Sequence, residues 1–110
     1  MTIFEIKRND TKPYLAATLQ DSTGSSLDLT NASSISFNLA TNDNAYTSIL
    51  SGACVVTGST TGQCEYRWAA GDTNRSGLFL GEFEITYSDS TILTLPSDDS
   101  LRIKINEDYD

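Results

Sequence analysis

The strongest constraint on the fold lies between residues 62 and 96, where two runs of sequence alternate between large apolar and polar residues. The first run, residues 62–68, has Tyr66 and Trp68 at alternate positions. The second run, residues 78–88, has Phe83 and Ile85 at alternate positions. A polar segment containing two glycines joins them. A period of two is typical of strands that have one face in a core and the other in water. The segment therefore predicts two half-buried antiparallel strands.

Similar short runs, separated by turns rich in Asn, Asp, Ser and Gly, occupy the rest of the 110-residue chain. The predicted strands cover residues 2–8, 14–20, 26–29, 34–40, 53–57, 62–68, 78–88, 92–95 and 101–106, with a weaker candidate at 46–50. No window shows convincing helical spacing, and a chain of this length forms one domain. We therefore predict a single all-β domain over residues 1–110, an antiparallel sandwich or barrel of roughly 8–10 short strands.

The parity of each run assigns one face of its strand to the core. The predicted inward residues are Phe4, Ile6, Leu15, Ala17, Leu19, Leu27, Leu29, Ile35, Phe37, Leu39, Cys64, Tyr66, Trp68, Phe79, Gly81, Phe83, Ile85, Tyr87, Leu101, Ile103 and Ile105. The opposite parity is polar. If their strands are neighbours, Glu82 and Glu84 are expected to pair with Arg102 and Lys104 across the outer face.

Fifteen acidic and seven basic residues give the chain a net charge of −8. Such a surface repels phosphate backbones, and no basic stripe offsets it, so nucleic acid is not an expected partner. Residues 1–8 lack the apolar region of a signal peptide, and no run has the length of a membrane span. We expect synthesis in a cytoplasm, either as this chain or as a domain of a larger one, no membrane partner, and a short acidic tail at residues 106–110.

The two cysteines, Cys54 and Cys64, flank a turn centred on Ser59. A hairpin about that centre places them directly opposite each other and on the same face. A cross-strand disulfide is then geometrically possible, and the alternative is two reduced thiols packed in the core. A cytoplasmic setting favours the thiols, whereas an extracellular particle favours the disulfide. Their spacing does not favour a metal site or a redox centre.

The chain contains no histidine, the usual base of a nucleophilic triad. Its carboxylate pairs are Asp98-Asp99, Glu107-Asp108, and Glu82 with Glu84. We interpret them as solvated charges, although a glycosidase requires only such a pair. The expectation is a protein without catalytic residues or enzymatic activity.

Two polar turns, residues 21–24 and 42–44, carry oxygen ligands of the kind that calcium prefers. Neither has the spacing of an EF-hand loop, so ordinary turn formation is the favoured interpretation and no cofactor is expected. Tyr14, Tyr46 and Tyr109 lie outside the clearest inward sets. Exposed tyrosines are typical of sugar-binding and protein-binding surfaces, so a carbohydrate- or receptor-binding, adhesin-like module is an alternative function.

Taken in order, these segments form a pattern that covers the chain from Phe4 to about Glu107. Its first half contains Phe4-x-Ile6-Lys7-Arg8-Asn9-Asp10-Thr11-x-Pro13, Leu15-x-Ala17-Thr18-Leu19-x-Asp21-x-x-Gly24, Leu27-Asp28-Leu29-Thr30-Asn31-Ala32 and Ser34-x-Ser36-Phe37. Its second half contains Gly62-x-Cys64-x-Tyr66-x-Trp68, Gly71-Asp72-Thr73, Gly77-x-Phe79-x-Gly81-Glu82-Phe83-Glu84-Ile85-Thr86-Tyr87-Ser88-Asp89, Thr94-Leu95-Pro96 and Leu101-x-Ile103-x-Ile105. The ordered set resembles the N-terminal domain of the phage baseplate upper protein family.

The resemblance implies an immunoglobulin-like β-sandwich and a non-enzymatic structural role in a bacteriophage virion, in the tail or baseplate, as an assembly component or adhesion platform. Larger family members continue into helical and receptor-binding-platform regions, and a neck or capsid-surface position is an alternative for a short member. Other virion proteins are the implied partners, with self-association in a symmetric ring or array. The protein would be made in the host bacterial cytoplasm and reside in the virion. Phe37, Tyr66, Trp68, Phe83, Ile85 and Tyr87 then form the core signature.

Overall fold

Short strands with polar turns between them account for nearly all the regular structure. The computed structural model describes residues 2–96 and 100–109, and over these residues the chain forms nine strands and one short 3-10 turn. The strands are β1 (Thr2–Lys7), β2 (Leu15–Thr18), β3 (Ala32–Thr41), β4 (Ser48–Ala53), β5 (Val55–Gly58), β6 (Gln63–Tyr66), β7 (Gly77–Tyr87), β8 (Ile92–Leu95) and β9 (Leu101–Asn106), with the 3-10 turn at Ser59–Thr61. The prediction of an all-β sandwich is confirmed.

The strands form two sheets. The larger sheet has the order β1-β9-β7-β3-β4, with β8 also paired to β7, and the smaller sheet has the order β2-β6-β5. Every described strand pair is antiparallel except β1 with β9, which run parallel. The expectation of a purely antiparallel arrangement is therefore wrong for this pair. Alternation marks a strand's faces but says nothing about the direction of its neighbour.

Two predicted strands differ from the observed elements. Residues 26–29 do not form a strand, because their amides bond to separate segments: Leu27 N–H to Leu19 and Leu29 N–H to Ser59. Residues 53–57 are divided at Cys54, where β4 ends in one sheet and β5 begins in the other. The weak candidate at 46–50 overlaps the start of β4. The predicted strands at 92–95 and 101–106 have the observed bounds.

The inner faces of the two sheets form the core. Every residue assigned to the core by parity is buried or partly buried, so this prediction is confirmed. Phe37 lies at the centre, with its ring 5.1 Å from Tyr66, 5.7 Å from Trp68 and 5.4 Å from Phe83. Because Tyr66 is on β6 while Phe37 and Phe83 are on β3 and β7, this cluster joins the two sheets.

The charge pairs expected on the outer face of the larger sheet do not form. β7 and β9 are neighbours, but their register places Leu80 opposite Arg102 and Leu78 opposite Lys104. Glu84 instead lies opposite Thr94 of β8, which pairs with the other half of β7. The Lys104 ammonium approaches Glu5 of β1 at 3.9 Å. The register of the two strands, which alternation does not determine, separates the expected partners.

Candidate interaction surface

The aromatic residues of the core signature lie inside the sandwich. Phe37, Tyr66, Trp68, Phe83 and Ile85 are all buried, and Tyr87 is partly buried against them. The Tyr66 hydroxyl donates to Asp72 Oδ2 at 2.6 Å, and the Ala69 amide donates to the same oxygen at 2.8 Å. Burial, together with this hydrogen bond, raises the pKa of Tyr66. The arrangement fastens the segment after β6 to the core, so these side chains serve packing.

The cysteines meet, but not by the expected pairing. Cys64 lies opposite Val56 rather than Cys54, because the 3-10 turn and a bulge after Val56 shift the hairpin register. Both cysteines are free thiols, and Cys54 lies at the crossover between the sheets, where its amide donates to Ile35. The Cys54 thiol still hydrogen-bonds to the Cys64 sulfur, which raises the pKa of Cys54 and lowers that of Cys64.

The acidic turns use their carboxylates to hold their own backbone. Asp21 Oδ1 accepts hydrogen bonds from the Thr23 hydroxyl at 2.6 Å and from the Thr23 and Ser25 amides. Asp43 Oδ1 accepts from the Thr41 hydroxyl at 2.8 Å and from the Ala45 and Tyr46 amides. These donors lower the pKa of both carboxyls. Over residues 2–96 and 100–109, no three His, Cys, Asp or Glu side chains are grouped to hold a metal ion.

The carboxylate pairs named from the sequence lie in different settings. Glu82 Oε1 accepts a hydrogen bond from Asn38 at 3.4 Å on the outer face of the larger sheet. Glu107 forms an ion pair with Arg8 at 3.0 Å, and this hydrogen bond lowers the pKa of Glu107. Asp98 and Asp99 lie outside the described residues, as does Asp110 at the end of the acidic tail.

The three tyrosines outside the core occupy separate segments. Tyr14, just before β2, is 37% exposed, and both Lys12 and Arg67 place their cationic groups over its ring. Tyr109 is 90% exposed and has the Lys7 ammonium 4.3 Å from its ring centre. Tyr46 lies in the turn between β3 and β4. Cation–π contacts of this kind explain the placement of Tyr14 and Tyr109 without a ligand.

The β2 strand presents an open edge of the smaller sheet. Leu19 N–H donates to Gly62 in the register of the β2–β6 pair, so the odd-numbered residues of β2 bond to β6. Hydrogen bonding alternates along an antiparallel pair, so Ala16 and Thr18 turn their N–H and C=O groups away from β6. Within the described part of the chain no strand pairs with this side of β2.

A groove of about 500 Å³ lies beside this open edge. The residues of β2 form one wall, and apolar side chains of the larger sheet, including Phe4, Leu95 and Leu101, form the other. A strand that hydrogen-bonds to β2 would therefore find a space for its inward side chains that is lined by apolar residues together with Thr18, Gln20 and Ser100. Sequence reasoning did not identify this site, although the lack of any charge in residues 15–18 was a visible signal.

The β5 strand forms the opposite edge of the same sheet. Val55 and Val56 are 40% and 41% exposed, and Thr57 is also exposed. Since the even-numbered residues of β6 bond to β2, Gln63 and Glu65 bond to β5. Val55, opposite Glu65, therefore bonds to β6, and Val56 turns its N–H and C=O outward. Among residues 2–96 and 100–109, no strand pairs with the outer side of β2 or of β5, and both edges are made of apolar and small residues.

Comparisons of this chain with protein-family models, curated proteins and solved structures return no match. The described residues contain no helix that is long and apolar enough to cross a membrane. The geometry of the sandwich and its edges is therefore the basis on which a function is argued.

Proposed function

We propose that this chain is a non-enzymatic structural protein of a bacteriophage virion, which acts by binding other virion proteins in the tail or baseplate. The observation that carries the proposal is the β2 edge, which no strand of the described residues covers, beside a groove that apolar and polar side chains line. Main-chain groups of β2 that no described strand pairs with, beside a groove with apolar side chains, suit the addition of a strand from another protein. The resemblance of the sequence to the N-terminal domain of the phage baseplate upper protein family adds independent support.

We further infer an immunoglobulin-like arrangement, and the strand order supports it. The small sheet, β2-β6-β5, corresponds to strands B, E and D, and the run β9-β7-β3-β4 corresponds to G, F, C and C′ of a variable-type domain. The first strand departs from that description, because β1 pairs with the last strand, β9. The cysteines also depart, since they lie at the β4–β5 junction and on β6 rather than on strands B and F.

Mass spectrometry of purified particles tests the virion assignment. Phage particles banded on a density gradient are expected to contain this protein at a copy number per particle that stays constant between preparations. A lysis enzyme from the same infected cells is the matched control, because it is abundant but not part of the particle. Electron microscopy with a labelled antibody would then place the protein at the tail, baseplate, neck or capsid surface.

Absence of the protein from particles that contain the known tail proteins would refute the proposal. A glycan array separates the alternative function, since a carbohydrate-binding module would give a saturable signal for particular sugars in the absence of any particle. A structural component that binds only virion proteins would give none.

A further inference from the structure

Cys54 marks the point where the chain changes sheets. It follows β4 of the larger sheet and immediately precedes β5 of the smaller sheet. Cys64 lies on β6, opposite Val56, and Cys54 is two residues before Val56. If the chain continued as one regular strand, Cys54 would lie diagonally across from Cys64, with Cα atoms about 7–8 Å apart. A disulfide does not bridge that distance without movement of the backbone.

The change of sheet brings the two thiols together. The Cys54 amide donates to the Ile35 carbonyl of β3 at 2.8 Å, so the backbone at this residue is still held by the larger sheet. The next residue begins β5, which pairs with β6, and the Cys54 thiol hydrogen-bonds to the Cys64 sulfur. Cys64 belongs to the core cluster and Cys54 packs against it. Two sulfurs in this contact need only a short approach to reach the S–S bond length of about 2.0 Å.

The strand that begins after Cys54 is weakly held. β5 (Val55–Gly58) is four residues long, most of its side chains are exposed, and its register with β6 is interrupted after Val56. Within the described part of the chain, β6 is the strand that it pairs with. A segment with few buried side chains opens at a low cost in free energy. A bond from Cys54 to Cys64 would fix the start of this strand to β6.

We propose that Cys54 and Cys64 are a redox-responsive pair, which reduces a low-molecular-weight disulfide such as oxidised glutathione and forms a bond that secures β5 to β6. In the first step the Cys54 sulfur attacks the reagent and forms a mixed disulfide, while one glutathione thiol leaves. The Cys64 sulfur then attacks the Cys54 sulfur and displaces the second glutathione thiol. Two protein thiols become one disulfide, and their two protons and two electrons convert one reagent disulfide into two thiols.

Accessibility sets the order of these two steps. Cys64 is only 1% exposed, whereas Cys54 is partly exposed, so the reagent meets Cys54 first. The attacking species is the thiolate. The hydrogen bond that Cys54 donates to Cys64 raises the pKa of Cys54. The first step is therefore expected to be slow at neutral pH and to become faster as the pH rises.

The redox state of the surroundings decides the state of the pair. A cytoplasm keeps protein thiols reduced, whereas disulfides persist outside the cell. This setting rests on the virion role proposed above. The chain would fold with free thiols in the host cell, and the bond would close after the particle is released. The crosslink would then strengthen a protein that has already been folded and assembled.

Equilibration of the purified full chain with mixtures of reduced and oxidised glutathione tests the proposal. Mass spectrometry after an acid quench separates the intramolecular disulfide, which lowers the mass by two hydrogens, from mixed disulfides, which raise it. The folded chain is expected to close the bond more readily than the urea-unfolded chain, by the same factor by which the bond stabilises the fold. For a loop of this length that factor is on the order of 100.

The matched control moves one thiol by a single residue. The double variant Ala53→Cys with Cys54→Ser keeps two cysteines, but residue 53 is exposed and lies opposite Ser36 on the outer face of the larger sheet. Its new thiol cannot reach Cys64 in the folded chain, so the variant is expected to accumulate mixed disulfides. Cys54→Ala replaces Cys54→Ser if the serine variant unfolds. Cys64→Ser alone lacks the second step and should stop at one glutathione per chain.

Hydrogen exchange tests whether the bond secures β5. The Val55 amide is expected to exchange faster than the amides of β3 in the reduced chain, and to become slower by about tenfold or more on oxidation. Cys64→Ser treated with the same reagent is the control and should show no such protection.

Four results would overturn the inference: closure no more favourable in the folded than in the unfolded chain, closure of the control variant equal to wild type, a rate that does not rise above neutral pH, or unchanged exchange at Val55. The outcome is independent of the particle test, because it uses the purified chain. A virion protein whose thiols do not close would refute only the redox pair. A chain that closes the bond but is absent from virions would refute only the virion role.

Discussion

The substitution Gly52→Ala tests whether the aromatic cluster requires an empty space on β4. Gly52 lies opposite Phe37 on the inner face, and a Cβ built on it would lie 2.6 Å from Cε1 of the Tyr66 ring and 2.9 Å from its hydroxyl. The ring cannot move freely, because Phe37 and Trp68 both lie 5.1 Å from it. Glycine on an edge strand covered by an aromatic ring is a recognised way to stabilise a sheet.

The expected cost follows from two effects. Overpacking a close-packed core costs about 1–3 kcal/mol. A displaced Tyr66 also loses its 2.6 Å hydrogen bond to Asp72, and losing a bond to a charged group costs about 1.5–3 kcal/mol. The sum of about 2.5–6 kcal/mol lowers the melting temperature by roughly 10–25 °C for a domain of this size.

Thermal unfolding followed by circular dichroism measures this change. Ala53→Val, at an exposed position next to Gly52 on the same strand, is the matched control and should alter the free energy of unfolding by less than about 0.5 kcal/mol. In a double-mutant cycle, Tyr66→Leu removes the ring and should relieve most of the Gly52→Ala penalty. A Gly52→Ala protein as stable as wild type, or additive effects in the cycle, would refute the packing argument.

Two further predictions concern the thiols and the acidic turns. Oxidation by a small disulfide reagent should join Cys54 to Cys64, remove two hydrogen masses from the intact protein and raise the melting temperature by about 5–10 °C. The Cys64→Ser variant should show neither change. An unchanged mass of the wild-type protein would contradict the thiol contact. The hydroxyl and amide donors of Thr23, Thr30 and Thr91 lower the pKa values of Asp21, Asp28 and Asp89, respectively. The ionised carboxylates therefore stabilise the fold above their unfolded-state pKa near 4, and this stabilisation is lost as the pH falls through the lower folded-state pKa values. Replacing the three aspartates by Asn should make stability fall less steeply with decreasing pH on the acid side of a stability-versus-pH curve. An unchanged acid side would show that these turns do not contribute to the pH dependence.

Much of the interior could be predicted because the side-chain period of a strand is fixed by local geometry. Residues 78–88 alternate so regularly that Phe79, Phe83 and Ile85 were assigned to the core correctly without knowledge of their neighbours. Leu80 breaks this rule: it has outer-face parity but is only 8% exposed, opposite Arg102 and Ala40. No local pattern identifies such a residue, because its burial comes from its position in a wide sheet.

The pairing of the cysteines shows a second limit. The hairpin was centred one residue too early, because the 3-10 turn at Ser59–Thr61, with Gly62 in the left-handed region, adds length that a simple turn lacks. Cys64 consequently lies opposite Val56. The thiols still come together, because the chain crosses between the sheets at Cys54 and brings this side chain back toward β6.

The sequence alone determined that this protein is all-β and which residues fill most of its interior, since alternation of apolar and polar residues is a local property of each strand. Only the tertiary structure decided which strands are neighbours, that β1 runs parallel to β9, and that β2 and β5 are the open edges of the smaller sheet. Neighbour choice depends on contacts between residues far apart in the chain, such as Thr2 with Leu101, and a strand's own sequence does not encode them. The surfaces on which the proposed assembly depends are therefore set by the tertiary structure and not by local sequence patterns.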